Sequence, residues 1–146
     1  MRVVSRSALL PFSAVQMFDL VNDVAGYPDF LPWCSDSEIL ARSNDEMRAR
    51  LTVARAGFSK SFTTRNRLSR PQSIDLSLVE GPFSDFEGHW RFTQLGEDGC
   101  KVEMQLRFSF SQAALNVAFG KIFEQAADSL VDAFCVRARQ VYGNAA

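Results

Sequence analysis

The chain has 146 residues, 47% of them hydrophobic and 23% charged, with a net charge of −1. This length suits one globular domain over 1–146 with one sizeable core, and the near-neutral charge sets no global demand for a nucleic-acid partner. Cys34, Cys100 and Cys135 are far apart and form no CxxC or Cys/His spacing, which argues against a zinc site and a disulfide framework.

The first segment, Arg2 to Leu10, reads as a strand that Pro11 ends. Ser5, Arg6 and Ser7 interrupt any apolar run, so no signal peptide is expected. No stretch approaches the roughly 18 apolar residues of a membrane span, and a reducing cytoplasm is the expected compartment. Ser13 and Gln16 have capping-box spacing, and Met17, Phe18, Val21 and Val24 follow at helical intervals. Gly26 and Pro28 break this helix. A second short helical piece is predicted from Pro28 to Trp33.

Strands dominate the middle of the chain. Ser37 to Ala41 is a short strand. Met47, Ala49, Leu51 and Val53 alternate with Arg48, Arg50 and Thr52. Ala56-Gly57 reads as a turn. Phe58, Phe62 and Leu68 share one face of a long strand with Lys60, Thr64 and Asn66. Ile74, Leu76 and Leu78 alternate with polar residues up to the Gly81-Pro82 turn. Phe86, Gly88, Trp90 and Phe92 form the next strand, and Gly96 to Gly99 a hairpin loop. Val102, Met104, Leu106, Phe108 and Phe110 show the cleanest period of two.

From Gln112 to Gly143 a single amphipathic helix is predicted. Leu115, Phe119, Ile122, Ala126, Leu130 and Phe134 form its apolar stripe, broadened by Phe123, Ala127, Val131 and Ala138. Short turns between strands imply antiparallel neighbours, and the apolar sheet face needs this helix as its cover. The fold class is α+β, a curved antiparallel sheet of about six or seven strands wrapped on a long C-terminal helix, with two short helices after the first strand.

A long helix cannot touch a curved sheet everywhere, so a gap lined by Phe residues is expected. Thirteen Phe against two Trp and two Tyr suit either a dense core or such a lined cavity. Thr64 and Asn66, on the apolar face, either orient the head of an amphiphile or pair with neighbouring strands. Charge is unevenly spread. Between Met47 and Ile74 the charged residues are all basic: Arg48, Arg50, Arg55, Lys60, Arg65, Arg67 and Arg70. This is a solvated strand face or a docking surface for an anionic partner such as RNA or a lipid headgroup.

Catalytic groups are sparse. His89, the only histidine, shares the outer face with Glu87 and Arg91, and no nucleophile motif flanks it. Asp85 and Glu87 read as a solvated strand end. No dinucleotide or phosphate loop is present. Neither catalysis nor a metal is expected.

Several dispersed motifs resemble one family. Phe18-Asp19-Leu20-Val21-Asn22-Asp23-Val24 leads to Tyr27-Pro28-Asp29-Phe30-Leu31-Pro32-Trp33-Cys34. Ser61-Phe62-Thr63-Thr64-Arg65-Asn66, Glu80-Gly81-Pro82-Phe83, Glu87-Gly88-His89-Trp90-Arg91-Phe92 and the closing Val141-Tyr142-Gly143 follow in order. Together they resemble the coenzyme Q-binding and ribosome association toxin family of the START-like, polyketide-cyclase-like superfamily. The resemblance implies the helix-grip fold and a hydrophobic tunnel between sheet and helix. In eukaryotic members the tunnel is associated with ubiquinone binding and respiration. Bacterial members of similar length associate with the large ribosomal subunit and block its joining to the small one.

The leading expectation is a non-enzymatic carrier of ubiquinone or a related polyprenyl lipid. Its tunnel wall would be Phe62, Leu78, Trp90, Met104, Phe108, Phe119, Phe123 and Phe134, with Phe30 and Trp33 at one end and Thr64 and Asn66 as polar groups. No cofactor is expected apart from ubiquinone held as a ligand. The alternative is ribosome association through Arg48, Arg50, Arg65 and Arg67. A cyclase-like enzyme stands third, because acid–base groups are few. The lack of a mitochondrial transit peptide favours a bacterial-type cytoplasmic protein, with at most a transient contact at the inner-membrane surface.

Overall fold

The computed structural model describes residues 2–55 and 57–143. Among these residues, seven strands form one antiparallel sheet: β1 (Arg2–Leu10), β2 (Cys34–Arg42), β3 (Glu46–Arg55), β4 (Phe58–Ser69), β5 (Ser73–Glu80), β6 (Phe83–Leu95) and β7 (Gly99–Phe110). The spatial order is β1-β7-β6-β5-β4-β3-β2, so a six-strand meander is closed by the N-terminal strand pairing with the last. Register shifts in β2, between Thr63 and Thr64, and between Phe83 and Asp85 bend the strands and curve the sheet. The predicted Ala56-Gly57 turn lies partly outside the described residues; Gly57 has a φ of 85°.

Helix α1 (Ala14–Asn22) starts at the predicted capping box. Ser13 Oγ accepts from Gln16 N at 3.1 Å, and Gln16 Oε1 accepts from Ser13 N at 2.9 Å. The second helical piece is a 3₁₀ turn at Val24–Asp29, not Pro28 to Trp33. It contains Gly26 and Pro28, because the tighter turn tolerates a residue without a backbone donor near its end. Strand β2 begins earlier than expected, at Cys34.

The predicted single C-terminal helix is broken. A short α2 (Ala113–Ala118) is followed by α3 (Gly120–Tyr142), with Phe119 at the break. Two anchors explain it. Asn116 mimics a strand partner for the end of β7, its Oδ1 accepting from Phe110 N and its Nδ2 donating to Phe110 O, both at 3.1 Å. The Arg2 guanidinium donates to Asn116 O and pairs with Glu124. A Cβ on Gly120 would lie 2.9 Å from Arg2 Nε, so glycine makes room for this clasp.

Helix α3 crosses the concave face beside β1. Arg6 reaches Asp128 at 3.6 Å and Asp132 at 3.5 Å. Inward-facing arginines on an edge strand tie the helix down and blunt the edge. The buried helix stripe is Phe123, Ala126, Ala127, Val131, Phe134, Cys135 and Ala138. Leu115, Ile122 and Leu130 are only partly buried, so the stripe is rotated from the expected one. Phe18, Phe108 and Phe134 are almost fully enclosed and give the core its solid centre.

Candidate functional site

Between the sheet and α3 lies an apolar cavity of about 80 Å³. Phe62, Trp90, Met104 and Phe123 line it, with Trp33 at one side. Thr64 and Asn66 are also on the wall, and both are buried. Thr64 Oγ1 donates to Asn66 Oδ1 at 2.7 Å, so these polar groups satisfy each other within one strand. Trp33 Nε1 and Asn22 Oδ1 are buried without a hydrogen-bond partner among the described residues.

Four expected wall residues, and Phe30 from the expected end, do not face the cavity. Phe108, Phe119 and Phe134 are packed into the aromatic core; Phe108 meets Phe123 at 4.7 Å and Phe119 meets Phe58 at 5.8 Å between ring centroids. Leu78 lies off the cavity, near Gly81. Phe30 stands at the α3 flank, 5.2 Å from Phe134 and under the Arg137 guanidinium at 5.1 Å.

Other lining residues were not anticipated. Val21, Val24 and Tyr27 come from α1 and the 3₁₀ turn, and Ala49 and Leu51 from β3. Their spacing carried the signal: the valines continue the Met17 face, and Ala49 and Leu51 alternate with Met47. Gly88 is also on the wall. A Cβ there would lie 2.7 Å from Leu76 Cδ1 and 3.2 Å from Leu106 Cδ1, so its missing side chain is what lets the two leucines approach.

The chemistry of this cavity is poor. Among the described lining residues there is no carboxylate, imidazole or thiol. The one ionisable group is Tyr27, whose hydroxyl donates to Val21 O and whose pKa is driven up by burial. Cys34 lies outside the lining, and burial pushes its thiol up to about 11. Burial also raises Cys100 and Cys135. No cluster able to hold a metal occurs among the described residues.

The outer sheet face holds the arginines. Arg48 lies directly across from Arg65, Glu46 from Arg67, and Glu38 from Arg50. Arg50 pairs with Glu38, and Arg65 Nε lies 3.0 Å from Glu46 Oε1. Arg70 is likewise held by Asp19 at 2.8 Å, so three of the seven residues of the basic run are paired with acids that the linear sequence kept apart. Arg48 and Arg67 make no ion pair among the described residues. Further along, Asp75 is 2.8 Å from His89 Nδ1 and 2.9 Å from Arg91 Nη1, while His89 Nε2 is 3.1 Å from Glu87. The histidine is on the outer face as predicted. Burial pushes the Asp75 carboxyl up, but hydrogen bonds from His89 and Arg91 outweigh it and hold the pKa below its ordinary value. No helix among the described residues is long and apolar enough to cross a membrane.

Residues 10–135 match the family model described as polyketide cyclase / dehydrase and lipid transport. The chain is 54% identical to the ribosome association toxin RatA of Vibrio cholerae, over 98% of this chain and 99% of that one. It is 50% identical to RatA of Pseudomonas aeruginosa, over 96% and 97%. The Zhui aromatase/cyclase from Streptomyces sp. R1128 shares the fold, with a TM-score of 0.84 over 99% of this chain and 98% of that chain at 22% identity.

These relatives correct the leading expectation of a ubiquinone carrier. The coenzyme Q-binding COQ10 homolog B of Xenopus laevis is only 27% identical, over 95% of this chain and 59% of that protein, whereas the full-length relatives at about twice that identity are named ribosome association toxins. From its matched residues and its full-length relatives, the chain belongs to the polyketide cyclase / dehydrase and lipid transport family.

Proposed function

We propose that this protein associates with the ribosome in the cytoplasm, at the large subunit, and opposes subunit joining, as a binding protein rather than an enzyme. The observation that carries the reading is full-length identity of 50–54% with proteins named for ribosome association. The absence of carboxylate, imidazole and thiol from the described cavity wall supports a non-enzymatic role. The contact surface is the outer face of β3 and β4, where Arg48, Arg50, Arg65 and Arg67 project together. Arg48 and Arg67 have no internal ion-pair partner among the described residues, whereas Arg50 is held by Glu38 and Arg65 by Glu46.

The test is co-sedimentation of the purified protein with isolated large subunits across a salt series. Binding through arginine–phosphate contacts weakens steeply with salt, with a slope of about −0.7 to −0.9 per phosphate neutralised. The double variant Arg48→Glu/Arg67→Glu, which breaks no internal ion pair, is expected to lose more than tenfold in affinity. Failure of the wild-type protein to sediment with ribosomal particles at low salt overturns the reading.

A further inference from the structure

Arg48 and Arg65 face one another on neighbouring strands, and this pairing works against folding. Directly opposed residues of an antiparallel pair hold their Cβ atoms about 5 Å apart, where like charges repel. The neighbours of Arg48 do not relieve it. On its other side, β2 presents Ala41. Glu46, two residues back, is engaged by Arg65. Asp75, opposite Arg67, is held by His89 and Arg91. Three guanidiniums, those of Arg48, Arg65 and Arg67, therefore share two adjacent strands with one close carboxylate between them.

Local charge conflict that persists in a folded chain points to function, because a neutral residue at Arg48 would suit the strand better. Resting on the ribosome reading, we propose that Arg48 and Arg65 form a clamp for the phosphodiester backbone of structured RNA, with Arg67 as the next contact. Glu46 is its internal counter-ion, displaced when phosphate arrives. Guanidinium forks match phosphate oxygens bidentately. Arg48 stands across from Arg65 on a strand about 4.8 Å away, and Arg67 lies two residues along β4, so the three guanidiniums form a compact patch that suits adjacent phosphates better than an isolated carboxylate on a protein surface.

The clamp predicts effects of opposite sign on stability and binding. Arg48→Thr removes the repulsion and is expected to raise Tm by about 1–3 °C while weakening large-subunit binding about five- to tenfold. It also lowers the salt slope by about 0.7–0.9. Glu46→Gln, which leaves all the arginines in place, is expected to tighten binding about two- to fivefold. A purely structural role for Glu46 would not produce that gain.

Both variants are measured by co-sedimentation and thermal melting beside the wild type, with single-stranded and duplex RNA oligonucleotides and polyglutamate as competitors. Competition by duplex RNA at concentrations at least tenfold below polyglutamate supports the clamp. Equal competition by polyglutamate overturns it in favour of an acidic protein partner. Wild-type binding with unchanged affinities for Arg48→Thr and Glu46→Gln overturns the clamp and leaves ribosome association standing. Absence of wild-type binding removes the ribosome reading and the clamp with it.

Discussion

Replacement of Phe123 by alanine tests whether the helix–sheet core is a solid aromatic cluster or a loosely lined tunnel. Phe123 is 5% exposed. Its ring centroid lies 4.7 Å from that of Phe108, 5.3 Å from Phe83, 5.8 Å from Phe62, 5.9 Å from Phe110 and 6.4 Å from Phe119. Truncating such a residue loses the transfer free energy of the ring and leaves space that close-packed neighbours cannot refill, typically about 3–5 kcal/mol. The ring also borders the existing cavity, so the new space merges with old space and collapses little. A loss near 4 kcal/mol is expected, equivalent to a fall in Tm of about 8–16 °C for a domain of this size. Urea unfolding followed by the fluorescence of buried Trp33 and Trp90 measures it. Val117→Ala, at a residue 85% exposed on α2, is the control and should change stability by less than about 0.5 kcal/mol. A loss below about 1.5 kcal/mol for Phe123→Ala would refute the packed-cluster account, because it would mean that the five rings close over the gap.

Three further outcomes follow from the geometry. Asn116→Ala removes both hydrogen bonds to Phe110 and should cost about 1–2 kcal/mol, with faster amide exchange confined first to α2 and the end of β7. Asp75→Asn tests a pH dependence. A carboxyl held below its ordinary value stabilises the fold fully above the unfolded pKa near 4, and that contribution is lost as pH falls through the native pKa. The Tm gap between wild type and Asp75→Asn should therefore shrink between pH 6 and pH 3, and a gap that widens would contradict the account. Lastly, Cys34 is buried with its thiol raised to about 11, and Cys100 and Cys135 are also buried and raised. A thiol reagent at pH 8 should modify the native protein slowly and all three thiols at once on unfolding.

Much of this architecture was legible in residue order. The strict alternation from Val102 to Phe110 defined β7 and its buried face. The Ser13/Gln16 spacing marked the start of α1, and Thr64 and Asn66 were placed on the apolar face by period two alone. These features are local: each depends on which side of a strand or helix a residue occupies, and backbone geometry sets that within a few residues. The placement of Trp33, Phe62, Trp90, Met104 and Phe123 around one cavity was legible for the same reason, since all lie on apolar faces that must meet.

What sequence order could not supply was the depth of each side chain along those faces. Phe134 follows the helical spacing of Phe123, Phe119 sits one turn before it at the helix break, and Phe108 alternates with Met104 on β7, yet all three sit in solid packing while the gap opens among residues of β3 to β7. The break at Phe119 needed Arg2, from the far end of the chain, to reach the Gly120 position. The basic run was equally incomplete on its own, because strand register brought Glu38 to Arg50 and Glu46 to Arg65 while leaving Arg48 against Arg65. Local pattern determined the elements and their apolar faces. Tertiary packing decided which faces close, where space remains and which charges stay unmatched, because those depend on distances between residues that the chain itself keeps far apart.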